Sequence, residues 1–266
     1  MAVKLLIVNT ILCFSILVSL YTEEQVPVYG NQNLFRGKLC SEMSLYYSHI
    51  KLAEAAIWEN QLRESIFEYE KAFSHKSSPF FYDLINALVV ACKLEDRYKI
   101  NKWLKKLIVD KGIHPNFFKK NPAFKELIAD SLWMQMLNNS DYNKKHYNKI
   151  NLDLVEKYKE LYQKDQEVRH KKYKNNNERR VVDSLNLIDF KMLVKKFGFP
   201  SEERVGMNYD STNSAALDPL FSILIRHFSL NGWYNEVSGI LDSAIYKGER
   251  RCCMKKLGIA MLYLIN

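Results

Sequence analysis

Apolar residues recur every three or four positions from Leu45 onward, a spacing that predicts α-helices rather than strands. Four amphipathic helices are predicted in the first half of the chain. Their inward positions are Tyr46, Ile50, Ala53 and Ile57; then Leu62, Ile66, Tyr69 and Phe73; then Phe81, Leu84, Ile85, Leu88 and Ala91; and last Ile100, Trp103, Leu104, Leu107 and Ile108. Gly112 is expected to end the fourth helix.

These helices form two pairs with a period of 34 residues, which places Ala87 at the position of Ala53. Small residues where helices cross, with aromatic residues in the second helix, resemble tetratricopeptide repeats. On this resemblance we expect two antiparallel helical hairpins packed side by side, with both alanines at close helix contacts. Generic helical hairpins are the alternative, because Ala72 has Lys106 as its counterpart.

Further helices are predicted over 122–137, 152–173, 189–197, 234–246 and 250–264, and one more begins at Asp218-Pro219. Gly198 is expected to stop the third of these, and Pro200 prevents its continuation. No run alternates between polar and apolar residues as a strand would. The sequence therefore predicts an all-α fold.

The patterns divide the chain into five segments. They are a signal peptide or N-terminal anchor (1–21), a lead-in (22–44), tetratricopeptide-like repeats (45–137), a polar linker (138–151) and a C-terminal helical domain (152–266). Arrays of fewer than three repeats seldom fold alone. We therefore expect the repeats to pack on the C-terminal domain.

The first segment has the pattern of an export signal. Lys4 precedes the apolar run 5–20 and Glu23 follows it, which is the charge order of exported proteins. The run is short for a membrane-spanning helix, which needs about 20 residues. We expect an exported protein of the periplasm or cell envelope, whose N-terminal segment is either cleaved or kept as an anchor. A buried N-terminal element of a cytosolic protein is the alternative.

The composition limits the expected binding partners of the protein but does not identify a reaction. Hydrophobic residues make up 47% of the 266, enough for a core, and the net charge of +9 fits a solvated lysine-rich surface. No nucleic-acid-binding motif accompanies this charge, so a nucleic acid partner is not expected. The five cysteines (Cys13, Cys40, Cys92, Cys252 and Cys253) lack the spacing of a zinc site. No metal and no cofactor is predicted, and membrane contact is expected only through the N-terminal segment.

One predicted helix ends its apolar face in polar residues. Tyr158 and Leu161 set this face, and Asp165, Gln166 and Arg169 continue it. The apolar face of the helix after Asp218-Pro219 likewise ends in His227. Buried charges are costly unless they are paired, so Asp165 and Arg169 are expected to be buried within salt-bridging reach.

Asp165, Gln166, Arg169 and His227 are therefore the candidate catalytic residues, with Asp183 or Asp189 as a further member. A carboxylate can orient a histidine that acts as a base, and an arginine can hold an anionic group. Two structural interpretations remain open. One is a buried Asp–Arg bridge that joins two helices, and the other is a hydrogen-bonded core histidine.

The region from about Leu161 onward carries several short motifs. They are D-Q-x-x-R at 165–169, an Asp/Asn-rich segment at 183–189, G-F-P at 198–200, V-G at 205–206 and the later His227. Together they resemble a family of uncharacterised, often exported proteins that is frequent in Bacteroidetes. The resemblance implies a helical domain, often preceded by helical repeats, and brings no known activity.

Two departures from the family pattern bear on activity. Arg226 stands where members commonly have Gln, and members continue past the last helix into an Asp-Arg pair and a Gln-rich tail. If that tail completes a site in the family, the resemblance implies that this copy is inactive or truncated; the sequence leaves this open.

Two function classes follow. The favoured one is a binding or scaffold protein of the cell envelope whose helical repeats hold a protein or peptide. The alternative is an enzyme that acts on a small anionic substrate through Asp165, Arg169 and His227. Convergence of these groups in an open site would favour the enzyme, and sealed burial would favour the scaffold.

Overall fold

The computed structural model describes residues 41–138, 144–145, 147–170, 175–207 and 217–251. Every regular element in these ranges is helical, and none is a strand. The all-α prediction is confirmed.

The first four helices of the described chain pack in sequence. They are α1 (Ser41–Trp58), α2 (Leu62–Ser74), α3 (Phe81–Lys93) and α4 (Arg97–Lys105). Each contacts the next, so the predicted antiparallel hairpins are present. Ala53 and Ala87 are both fully buried at 0% exposure. The first helix begins at Ser41, a turn earlier than the periodicity from Leu45 predicted, inside the expected lead-in.

The turns that close the two hairpins share one geometry. Asn60 and Glu95 have φ angles of 58° and 53°, in the left-handed region that non-glycine residues seldom adopt. In each turn the next amide donates to a carbonyl of the preceding helix, at 2.8 Å after Asn60 and 3.0 Å after Glu95. Such bonds satisfy carbonyls that a helix end leaves unpaired.

The chain after α4 departs in part from the prediction. α4 runs into a π-helical turn, Lys106–Asp110, and Gly112 then takes a φ of 69°, as expected of a helix stop. Next come α5 (Pro115–Lys120), a 3-10 turn (Pro122–Phe124), α6 (Lys125–Ala129) and α7 (Ser131–Leu137). The prediction of one helix over 122–137 is wrong, because Asp130 is extended (φ −84°, ψ 120°). Its carboxylate lies 3.2 Å from the Arg97 guanidinium.

The remaining helices build the second half. They are α8 (Leu152–His170), α9 (Asn176–Phe197), α10 (Glu202–Val205), α11 (Leu217–Leu230) and α12 (Tyr234–Tyr246). The expected start of α9 at position 189 is wrong. The helix begins at Asn176 because the Asn175 side chain accepts hydrogen bonds from two backbone amides of the first turn, at 3.1 and 3.2 Å. Gly198, with φ 83°, ends α9 as predicted.

Two hydrophobic cores organise these helices. One is built from α1 to α7 with Met207, and the other from α8 to α12, and segment 138–151 leads from one to the other. Lys111 ties them together although its side chain is only 1% exposed. Its Nζ lies 2.8 Å from Glu202 Oε2 and donates to Ser78 Oγ at 3.0 Å. Its carbonyl accepts the Met207 amide at 2.9 Å.

Several sequence predictions fall outside the described residues. These are the export segment, the helix predicted over 250–264 beyond Arg251, and four of the five cysteines, since Cys92 is the buried exception. Within the described ranges, no helix has the length and hydrophobicity that a membrane span requires.

Candidate functional site

The inward face of α8 changes from apolar to charged without leaving the protein interior. Tyr158 and Leu161 are each 2% exposed, and Asp165, one turn further on, is 0% exposed. The predicted burial of Asp165 is confirmed. An ionised carboxylate at such a position requires partners that replace its lost hydration.

Asp165 has three side-chain partners. Its Oδ1 lies 2.8 Å from Nδ1 of His227 and 2.8 Å from Nη1 of Arg169. Its Oδ2 accepts a hydrogen bond from Gln166 Nε2 at 2.7 Å. Both carboxylate oxygens are thus engaged, and they hold residues from two helices, α8 and α11, in fixed positions.

Arg169 extends the cluster to a second carboxylate, on α9. Its Nη2 donates to both oxygens of Asp183, at 2.7 and 2.9 Å, while Nη1 also donates to the Asp165 carbonyl at 3.1 Å. Asn231 Nδ2 donates to Asp183 Oδ2 at 2.7 Å. The guanidinium therefore joins the two aspartates, and Asn231 connects Asp183 to the end of α11, which Asn231 directly follows.

His227 is partly accessible to solvent. Its side chain is 15% exposed, and it follows the buried Leu224 on the inward face of α11. Since Nδ1 meets a carboxylate oxygen, the neutral ring carries its proton there and keeps a lone pair on Nε2. Nε2 is neither bonded to a described residue nor sealed from solvent. The arrangement leaves a proton acceptor at the protein surface, oriented by a buried carboxylate.

The charges of the cluster nearly balance. Two carboxylates, Asp165 and Asp183, face one guanidinium, Arg169. With a neutral imidazole one negative charge remains, and a protonated His227 would cancel it. The formal charges of the four groups therefore cancel only when the imidazole carries a second proton.

The same groups could serve as metal ligands by distance alone. One donor atom from each of Asp165, Asp183 and His227 lies within 4.8 Å of the others. However, the Arg169 guanidinium already lies against both carboxylates. A metal ion would have to displace this internal cation, so the residues present do not fit a metal while Arg169 keeps its place.

The structure brings together all four candidate residues named from the sequence. Of the two aspartates considered as further members, Asp183 belongs to the cluster. Asp189 does not, because its carboxylate faces outward near Lys164, at 3.6 Å. Asn231 was missed, although it directly follows α11, four residues after His227, and its backbone amide donates to the His227 carbonyl at 3.1 Å.

A second buried ionic cluster was missed altogether. Asp83 on α3 is 0% exposed, accepts a hydrogen bond from the Tyr46 hydroxyl at 2.6 Å, and lies 2.6 Å from Nη2 of Arg251. Glu54 lies 3.4 Å from the same guanidinium nitrogen. Burial raises the pKa of Asp83, although Arg251 and Tyr46 act in the opposite direction. Burial likewise raises the pKa of Glu54.

Comparison of this chain with protein-family models, curated proteins and solved structures found no match. The interpretation of the site consequently rests on its own geometry.

Proposed function

We propose that the C-terminal helices form an acid–base active site in which His227 is the general base. The observation that carries this proposal is the 2.8 Å contact between His227 Nδ1 and the fully buried Asp165 carboxylate, with Nε2 left open to solvent. A carboxylate that fixes the tautomer and orientation of a histidine is a recurring arrangement in enzymes that transfer protons.

In this proposal His227 Nε2 takes a proton from water or from a substrate hydroxyl. It then returns that proton to the leaving group, so no net proton is consumed at the histidine. Asp165 stabilises the imidazolium formed between these two steps. Gln166 holds the other carboxylate oxygen and so fixes the plane of Asp165.

The role of Arg169 differs from the substrate binding expected from the sequence. Its guanidinium is bound to two carboxylates, Asp165 and Asp183, so we assign it to positioning Asp165. The excess negative charge beside a neutral His227 then favours a neutral or cationic substrate group over the small anionic substrate considered first.

The proposal requires first that the His227 imidazole be accessible in its unprotonated form, and chemical modification tests this. Diethyl pyrocarbonate acylates unprotonated, accessible imidazole nitrogens, and peptide mass spectrometry would give the rate at each histidine. We expect His227 to react at a rate comparable to that of the exposed His170 on α8, and the Asp165→Asn variant to change the pH dependence of that rate. A His227 that resists acylation in the folded protein would overturn the proposal.

The proposal requires second that catalysis depend on His227, and an activity assay tests this. The full chain would be assayed on ester, phosphate, amide and glycoside reporter substrates, beside His227→Asn and the control His170→Asn. We expect any hydrolysis found to be abolished by His227→Asn and kept by His170→Asn. Equal turnover by the wild type and His227→Asn would contradict the assignment.

A second function is supported by the repeat half. We propose that the two hairpins are divergent tetratricopeptide-type repeats that bind a protein or peptide. The repeated turn geometry at Asn60 and Glu95 and the buried Ala53 and Ala87 support a duplicated unit. Replacing Ala87 with Leu should separate α3 from its neighbours and destabilise the fold, while the exposed Ala55 should accept Leu without loss.

We further propose that the protein acts in the cell envelope after export through its N-terminal segment, on the charge pattern around Lys4 and Glu23. Fractionation of cells that express the full chain would test this. Recovery in the soluble cytosolic fraction with Met1 intact would rule it out.

A further inference from the structure

A cavity of about 250 Å³ lies in the repeat half, well apart in sequence from the His227 cluster. It is lined by Cys92, Glu95, Arg97, Ile100, Leu127, Asp130 and Trp133. The first four come from the end of α3, the turn after it and α4, and the others from α6, α7 and the residue between them. We refer to it as the Trp133 cavity.

Apolar side chains form part of the lining of the Trp133 cavity. Ile100, Leu127 and Trp133 are 5%, 3% and 8% exposed, and they pack into the first hydrophobic core. Side chains held in this way form a rigid surface. An apolar group that enters would be removed from water on several sides, which is the main source of affinity in small pockets.

The polar lining is acidic on balance. Glu95 and Asp130 are carboxylates, and Arg97 is the one cation among the lining residues. Arg97 lies 3.2 Å from Asp130, but its side chain is 70% exposed, whereas that of Asp130 is 24% exposed. Exposed pairs of this kind are weak. A cationic group on a ligand can therefore replace Arg97 beside Asp130, while an anionic group would face both carboxylates.

The volume limits the size of the occupant. The cavity volume is about 250 Å³. Pockets for drug-sized ligands are commonly about 300–1,000 Å³. The Trp133 cavity is thus matched to a single large side chain, as at the anchor positions of peptide-binding surfaces.

We infer that the Trp133 cavity binds an aromatic side chain of a peptide in which that residue is flanked by lysine or arginine. The aromatic ring fills the apolar part, and the flanking cation pairs with Asp130 and Glu95 at the mouth. The inference is independent of the His227 site and assigns a place in the repeat half to the proposed partner.

Titration of the full chain with short capped peptides, followed by NMR of the Trp133 indole N–H, tests this inference. The signal is identified by its loss in Trp133→Phe. The probes are acetyl-Lys-Phe-Lys-amide, the alanine peptide acetyl-Lys-Ala-Lys-amide, the acidic peptide acetyl-Glu-Phe-Glu-amide and free phenethylamine. We expect the first peptide to bind at least tenfold more tightly than the alanine and acidic peptides.

Charge variants supply the matched control. Asp130→Asn should weaken binding of the basic aromatic peptide about threefold or more. Glu59→Gln, which removes a carboxylate from the equivalent turn of the first hairpin, should leave it unchanged. Leu127→Phe fills the cavity with a larger side chain and should block binding. If Leu127→Phe fails to fold, the Asp130→Asn result still tests the inference.

Three results would overturn the inference. They are equal shifts of the Trp133 signal with the acidic or alanine peptide, no loss of affinity in Asp130→Asn, and binding of phenethylamine as tight as that of the peptide. The last would assign the cavity to a small amine instead.

Discussion

Two buried aspartates, Asp83 in the repeat half and Asp165 in the C-terminal half, differ in the partners that stabilise their carboxylates. Both are 0% exposed, and both lie beside an arginine side chain that is about one fifth exposed, 23% for Arg251 and 19% for Arg169. Asp165 has partners on both oxygens. Asp83 Oδ1, by contrast, lies near the Arg251 charge without a hydrogen bond from the described residues.

The difference distinguishes a structural link from the cluster that we propose as an active site. The Asp83 cluster joins α3 and α1 to a residue after α12, and its members are held by one guanidinium. The Asp165 cluster spreads its hydrogen bonds over amide, guanidinium and imidazole groups, and the His227 imidazole is 15% exposed. Dependence on a single cation predicts fragility, and a distributed network predicts tolerance.

The largest effect is expected where the cluster depends on a single cation. Arg251→Met leaves Asp83 and Glu54 buried without a positive partner, and we expect a loss of about 3–5 kcal/mol in the free energy of unfolding. Urea denaturation would measure it, with the exposed Arg63→Met as the control. A loss below about 1 kcal/mol would show that the Asp83 cluster is not held by Arg251.

Removing the arginine of the Asp165 cluster should lower the free energy of unfolding by a smaller amount. After Arg169→Met, Asp165 keeps His227 and Gln166, and Asp183 keeps Asn231. We expect a loss of about 1–3 kcal/mol, the usual range for a buried polar group that loses one of several partners. Arg180→Met on α9 is the exposed control. The comparison fails if Arg169→Met is as destabilising as Arg251→Met.

The pH dependence of stability should distinguish Asp83 by its sign. Burial raises its pKa, so the folded chain holds this proton at a pH where the unfolded chain has released it. The resulting stabilisation is full below the unfolded pKa of about 3.9 and is lost as pH rises through the folded value.

We therefore expect the stability of the wild type, relative to Asp83→Asn, to increase as pH is lowered from about 7 to about 4. Urea denaturation of both proteins at several pH values would show it, because the groups that the two proteins share largely cancel. A difference that is flat, or that decreases toward low pH, would contradict the raised pKa of Asp83.

The two clusters also show which contacts the sequence makes predictable. Asp165 and Arg169 lie four residues apart on one helix, where the apolar period fixes the direction of each side chain. Asp83 and Arg251 are brought together by the tertiary fold, and no local period connects α3 to the residues after α12. The helices of the two hairpins followed from local patterns for the same reason.

The errors at helix boundaries have a similar cause. The break at Asp130 accompanies a contact with Arg97 on another helix, which the local pattern does not contain. The early start of α9 depended instead on a local signal, the Asn175 cap, which the apolar period does not contain. The contact between Asp130 and Arg97 therefore could not be predicted from the local pattern, whereas the Asn175 cap could.

The smallest effect should come from Asp189. The sequence could not decide whether Asp183 or Asp189, both on α9, belongs to the cluster. Asp189→Asn removes a carboxylate at the surface near Lys164, so stability should change by no more than about 0.5 kcal/mol. Asp183→Asn removes a charge held directly by Arg169 and Asn231. It should lower the free energy of unfolding by about 1–3 kcal/mol, because the guanidinium and the amide each lose a partner that is nearly buried. Since both variants replace the same side chain on the same helix, urea denaturation of the two proteins tests the assignment directly. An equally small change in both would contradict the placement of Asp183, and not Asp189, in the cluster.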